Sequence, residues 1–176
     1  MNLRVARVGV DVRRLKEMAS PFQQFNVDPQ LACEFLGVFA RCEFALKAGG
    51  FAQGDANGVN ANWDLFAQTI DGHFDPTQSD DLSHAVEYLL NHPPRKQILI
   101  NNHIEWRDAA PDANLTRAER VLLMVRRVRN NLFHGGKFLA PEGAENDRDQ
   151  LLVQHSLTVL RACIPLSAQV TAAYEH

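Results

Sequence analysis

Arg129-Asn130-Asn131-Leu132-Phe133-His134 sets a guanidinium, an amide and an imidazole within two helical turns of one another. Arginine carries a fixed charge and grips two oxygens of an anion at once, and histidine exchanges a proton near neutral pH. Together they are side chains for proton transfer beside a phosphate. Taken singly, His134 also reads as a residue at a helix C-terminus, where a partial positive charge interacts well with the dipole.

The helix that presents these groups shows why Arg129 is unusual. At about 100° per residue, Val121, Val125, Val128 and Leu132 form its inward stripe, broadened by Leu122 and Phe133, and Arg129 projects between Val125 and Leu122. An arginine on an apolar face is costly to bury alone, so it must pair with a carboxylate or face a cleft or subunit interface. Asn130 and His134 lie four residues apart and share a helix face, and Gly135-Gly136 lets the chain turn sharply after them. Arg117, Arg120, Arg126, Arg127, Arg129 and Lys137 concentrate positive charge in a chain whose formal net charge is -3, a local attraction for an anionic polymer.

Glu43 lies at the edge of an earlier apolar stripe, four residues before Lys47. It is either the carboxylate that holds Arg129, a second acid-base group in the same cleft, or half of an exposed Glu-Lys pair. Other chemistry has less support. His84 and Glu87 are one turn apart and His92, His103 and His155 are scattered, with no HxxxH, HExxH or Cys/His cluster, so no metal site is expected. No glycine-rich loop follows a strand and no GxSxG elbow occurs, so neither a nucleotide cofactor nor a serine hydrolase is expected. Trp63 and Phe66 have the spacing of core residues rather than of a base-stacking platform.

The elements that must position these groups are helical. Asp28-Pro29 is a start signal for a helix from about Pro29 to Ala48, whose stripe of Leu31, Phe35, Val38, Phe39, Cys42 and Leu46 ends at Gly49-Gly50. Phe51 to Asn62 reads as a loop leading to a helix that holds Trp63, Phe66 and Ile70. A further helix spans about Asp80 to Asn91 and ends at His92-Pro93-Pro94; Gln97 to Ile100 is a short strand or an extended connector, a run too brief to decide between them, with the connector favoured. Thr116-Arg117-Ala118-Glu119 is a capping box opening a helix from about Arg117 to His134. A polar loop over Pro141 to Asn146 precedes a last helix that Pro165 kinks or divides. The expected architecture is an all-α, single-domain bundle of five to six helices over residues 26–176, preceded by an N-terminal segment, 1–25, with a short helix.

With 176 residues, 45% hydrophobic and 22% charged, the chain has the composition of a folded globular protein. Cys33, Cys42 and Cys163, odd in number and without CxxC spacing, read as free core thiols in a reducing cytoplasm. No 18-residue apolar run and no signal-peptide pattern are present, so neither membrane insertion nor secretion is expected.

The segment from Arg129 to His134 resembles the signature of the HEPN superfamily, in which Arg, a polar residue, three further residues and His lie on a late helix of a helical domain. Cys42-Glu43-Phe44-Ala45-Leu46-Lys47 and Trp63-Asp64-Leu65-Phe66-Ala67 also look like segments of bacterial HEPN-like proteins. The resemblance implies a metal-independent endoribonuclease that dimerises to bring two Arg/His motifs into one cleft. In that family a ribose 2′-hydroxyl attacks the adjacent phosphate, and the resemblance implies a toxin or phage-defence setting with an antitoxin or other protein partner. Carried over, Arg129 and His134 are the catalytic pair, Asn130 orients them, and Arg126, Arg127 and Lys137 contact RNA. The alternatives are a non-catalytic HEPN module that binds RNA, a nucleotide or a partner protein, and a structural helical adaptor.

Overall fold

The computed structural model of the chain describes residues 25–133 and 146–176. The expected N-terminal helix, His134, Gly135-Gly136, Lys137 and nearly all of the loop from Pro141 lie outside the described residues. Helix α1 runs over Pro29–Ala48, with the Asp28 carboxylate accepting the Leu31 amide at 2.8 Å and Pro29 in the first turn. Its inward face, Phe35, Phe39, Cys42, Ala45 and Leu46, is buried at the centre of the molecule.

Gly49 closes α1 by donating to the Ala45 carbonyl at 2.7 Å, and Gly50 then takes a φ of 96° that favours glycine. Gly49 has a second function. A Cβ there would lie 2.9 Å from the Ala45 carbonyl oxygen and 3.1 Å from the Val170 backbone nitrogen, so only glycine lets the C-terminal helix approach this closely.

The segment after Gly50 is not a loop. Strands β1 (Ala52–Asp55) and β2 (Gly58–Ala61) pair antiparallel, with Gln53 opposite Asn60 and Gly54 opposite Val59. The Asp55 carboxylate accepts the Asn57 amide at 2.8 Å and stabilises the turn. The hairpin escaped the sequence pattern because nearly all of its residues are exposed, which leaves no apolar/polar alternation to read.

Helix α2 (Trp63–Ile70), capped by the Asn62 side chain, buries Trp63, Phe66, Ala67 and Ile70, in agreement with their core spacing. Helix α3 (Asp80–Asn91) is capped by Ser79 and ends at His92 as expected. The stretch beyond the two prolines departs from expectation. β3 (Lys96–Ile100) and β4 (His103–Arg107) form a second antiparallel hairpin, turned by Asn101 and Asn102 at φ 50° and 63°. Paired left-handed residues are what a two-residue hairpin turn demands, and asparagine tolerates that conformation better than most residues.

Helix α4 (Arg117–Phe133) opens on the expected capping box: the Thr116 amide donates to Glu119 at 2.8 Å, and the Glu119 amide to the Thr116 hydroxyl at 3.3 Å. Val121, Val125, Val128 and Leu132 are buried as their spacing required, whereas Phe133 is 61% exposed and does not widen the core stripe. Pro165 divides the last helix. α5 (Asn146–Cys163) passes through a tight turn over Ile164–Leu166 into α6 (Ala168–Glu175), a bend of 112°.

Six α-helices among the described residues thus share one hydrophobic core, with α5 packed against α1, α3 and α4, and α6 against α1. The fold is mostly helical rather than all-α, because two hairpins stand on its surface. Cys42 and Cys163 are buried free thiols, but Cys33 is exposed rather than in the core. No single helix among the described residues is long and apolar enough to cross a membrane.

Candidate functional site

A cleft of about 260 Å³ opens where α1, the β1–β2 hairpin, α2 and α4 meet. Phe39 and Glu43, one turn apart on α1, form one wall, and Arg126, Arg129 and Asn130 on α4 form another. Gln53 and Asn60, the cross-strand pair of the first hairpin, supply the third. The base of that hairpin is fixed to the core: the Phe51 amide donates to the Leu46 carbonyl at 2.8 Å and the Asn62 amide to the Phe51 carbonyl at 2.7 Å. The Phe51 ring meets Phe66 edge-on at 5.3 Å.

Arg129 is half-buried in a stack of aromatic rings. Its guanidinium carbon lies 5.3 Å from the centre of the Phe39 ring and 4.8 Å from that of Phe133, and Phe39 in turn stacks on Trp63 at 5.1 Å. Contacts of this kind contribute about 0.5–1 kcal/mol each at exposed sites and more where water is excluded. Nη1 of Arg129 donates to the Asn130 side-chain oxygen at 3.1 Å. Arg129 forms no ion pair with any carboxylate among the described residues; within that set two rings and one amide hold its fixed charge, and its other N–H donors have no partner there.

Glu43 lines the same cleft but forms no ion pair with Arg129 or with Lys47. Of the alternative readings of Glu43, neither the Glu43–Lys47 pair nor the Glu43–Arg129 pair forms among the described residues, and Lys47 does not line the cleft. A carboxylate and a guanidinium that face one space without meeting leave a gap between them, and a third group can enter it. The indole nitrogen of Trp63, buried at this wall, has no hydrogen-bond partner among the described residues.

The cationic residues of α4 do not form one patch. At about 100° per residue, Arg117, Arg120 and Arg127 lie on one flank of the helix and Arg126 and Arg129 on the other. Arg126 reaches Asp64 at 3.0 Å, a largely exposed pair of the kind that contributes about 0.2–1 kcal/mol. Arg127 does not line the cleft: it donates to the Ala109 carbonyl, and desolvation by burial lowers its pKa. It ties the segment after β4 to α4 instead. The adjacent Asn131, 8% exposed, donates to the Arg95 carbonyl at 2.9 Å and ties down the start of the second hairpin.

Burial excludes the cysteine nearest the cleft as a nucleophile. Desolvation, reinforced by the neighbouring Glu43 charge, pushes the Cys42 thiol up to about 12. The histidines are less scattered than the sequence suggests. His92 stacks on Tyr88 at 4.5 Å and His155 meets the other helix's Tyr88 at 4.8 Å, with burial and then the charge of His84 depressing the His155 pKa. No group of three or more metal-ligating side chains occurs among the described residues. His134 and Lys137, named from the sequence, lie outside the described residues.

Sequence reasoning identified Arg129, Asn130, Arg126 and Glu43 but missed Phe39, Gln53 and Asn60. The Asp55-Ala56-Asn57-Gly58 turn was the signal that could have placed the last two across from each other. No family model, curated protein or solved structure matches the chain.

Proposed function

We propose that the chain is a metal-independent endoribonuclease of the HEPN type, acting in the cytoplasm as a homodimer and with the α4 cleft as its RNA site. The observation that carries this reading is Arg129: a guanidinium with no acid partner among the described residues, held by two aromatic rings and Asn130 at the wall of an open polar cleft. Such a group binds two oxygens of a phosphodiester without having to break an ion pair first.

In this mechanism Arg129 holds the scissile phosphate and neutralises the charge that grows on its oxygens. Asn130 keeps the guanidinium in register. His134 exchanges the proton that the attacking 2′-hydroxyl loses or the departing 5′-oxygen gains, and Glu43, in the same cleft, is the partner acid-base group. Phe133, exposed beside Arg129, gives a base or the second subunit an apolar surface to rest on. A toxin or phage-defence role with a protein antitoxin fits an enzyme of this type.

The test is to incubate purified protein with mixed RNA in EDTA and compare it with Arg129→Ala, His134→Ala and Glu43→Gln. The expected result is cleavage leaving cyclic phosphate ends, lost in the first two variants and weakened in the third. A wild type that binds RNA yet leaves it intact identifies a binding module rather than a nuclease. Cleavage retained in both Arg129→Ala and His134→Ala puts the active site elsewhere.

A further inference from the structure

A second cleft, of about 480 Å³, lies between α3 and the first turns of α4 and shares no lining residue with the first. Its size falls within the range of small-molecule sites, about 300–1,000 Å³. Arg117 and Arg120 line the α4 side, Val86, Glu87 and Leu90 the α3 side, and the exposed Ala113 the rim.

The two arginines that line this cleft outnumber its one lining carboxylate, Glu87. Arg120 is half-buried, its Nε is sealed from solvent without a hydrogen-bond partner, and its guanidinium pairs with no acid among the described residues. The Asp75 carboxylate accepts from the Thr77 hydroxyl at 2.7 Å and the Thr77 amide at 2.9 Å, which lower its pKa first; Arg117 contributes to that lowering but makes no ion pair with it. A half-buried guanidinium without an acid partner is costly, and an anion seated in the cleft against its accessible nitrogens lowers that cost. Two arginines one turn apart suit a phosphoryl group, which carries between one and two negative charges near neutral pH and offers three acceptor oxygens. Val86 and Leu90 add an apolar wall that suits a carbon body, and Glu87 accepts from a hydroxyl or amino group.

We propose that this cleft binds a small organic phosphate, with its phosphoryl group on Arg117 and Arg120 and its carbon body against Val86 and Leu90. The site stands independently of the nuclease reading, although one helix carries both. Arg120 and Arg129 are nine residues apart, about 13 Å along α4.

Calorimetric titration of the full chain with phenyl phosphate, inorganic phosphate and phenol tests it. Phenyl phosphate should bind more tightly than either of its halves. Arg120→Gln and Arg117→Gln should each raise its Kd at least tenfold. Ala113→Trp, a change at an exposed rim residue, should abolish binding while circular dichroism and the unliganded melting temperature stay those of the wild type. No binding of phenyl phosphate by the folded wild type at about 10 mM, where even a millimolar site is nearly filled, overturns the proposal. Binding that survives Arg120→Gln and Ala113→Trp unchanged, or inorganic phosphate that binds as tightly as phenyl phosphate, overturns it equally.

Discussion

Replacing Arg129 separates its role in the fold from its role toward RNA. In the folded protein its described partners are the Phe39 and Phe133 rings and the Asn130 oxygen. Losing two ring contacts of roughly 0.5–1 kcal/mol each and one hydrogen bond of roughly 0.5–1.5 kcal/mol sets the stability cost of Arg129→Ala at about 1.5–3.5 kcal/mol, below the ~5–15 kcal/mol of a typical domain. The variant therefore stays folded. Toward RNA the loss is larger in proportion, because a charge-assisted contact contributes roughly 1.5–3 kcal/mol, or about 10- to 150-fold in Kd. Removing one phosphate contact should also lower the slope of log Kd against log salt by about 0.7 for single-stranded RNA. Arg129→Lys should keep most of the salt slope and recover only part of the affinity, since a point charge cannot grip two oxygens. The assay is fluorescence anisotropy with labelled single-stranded RNA over a series of salt concentrations, with urea unfolding as the control. Unchanged affinity and unchanged slope in a folded Arg129→Ala protein would refute the assignment of this cleft to RNA.

Other expectations concern the scaffold. Gly49→Ala should destabilise by about 1–3 kcal/mol, because its methyl group meets backbone of both α1 and α6; urea midpoints check this, with Gly37→Ala, mid-helix where a Cβ meets nothing within 4 Å, expected to shift the other way and stabilise by about 0.5–1 kcal/mol. The Glu119 pKa is lowered, first by the hydrogen bond from Gln68 and then by the Thr116 amide, so its contribution is fully present above its ordinary value of 4.5 and is lost as pH falls through the lowered folded value. Glu119→Gln should flatten that acid limb in urea midpoints measured across the carboxylate range, and an unchanged limb would show that Glu119 contributes no pH-dependent stability. Of the three cysteines, the native protein should expose only Cys33 to a thiol reagent such as dithionitrobenzoate, with Cys42 and Cys163 reacting after unfolding.

The helices were legible because their signals are local. Asp28-Pro29, the Thr116–Glu119 capping box and the His92-Pro93-Pro94 stop each act within one turn, and an apolar stripe such as Val121, Val125 and Val128 repeats at the period of the backbone itself. The hairpins were not, because strands exposed on both faces carry no alternation. The second left only the pair Asn101-Asn102 as a trace, in a stretch whose Leu99 and Ile104 are 69% and 71% exposed.

The same division runs through the site. From spacing alone Arg129 had to be an anomaly on an inward face, and Asn130 had to sit beside it. What surrounds Arg129 could not be read that way. The sequence suggested Glu43 as its counter-ion, and Glu43 does line the cleft, yet the rings of Phe39 and Phe133 hold the guanidinium and Glu43 stays apart from it. It also suggested one cationic surface on α4, which the packing of α3 on one flank and α1 on the other divides into two clefts. Order along the chain decides which residues share a helix face. Which neighbour each face meets depends on how whole helices pack, a sum of many small contacts between segments far apart in sequence.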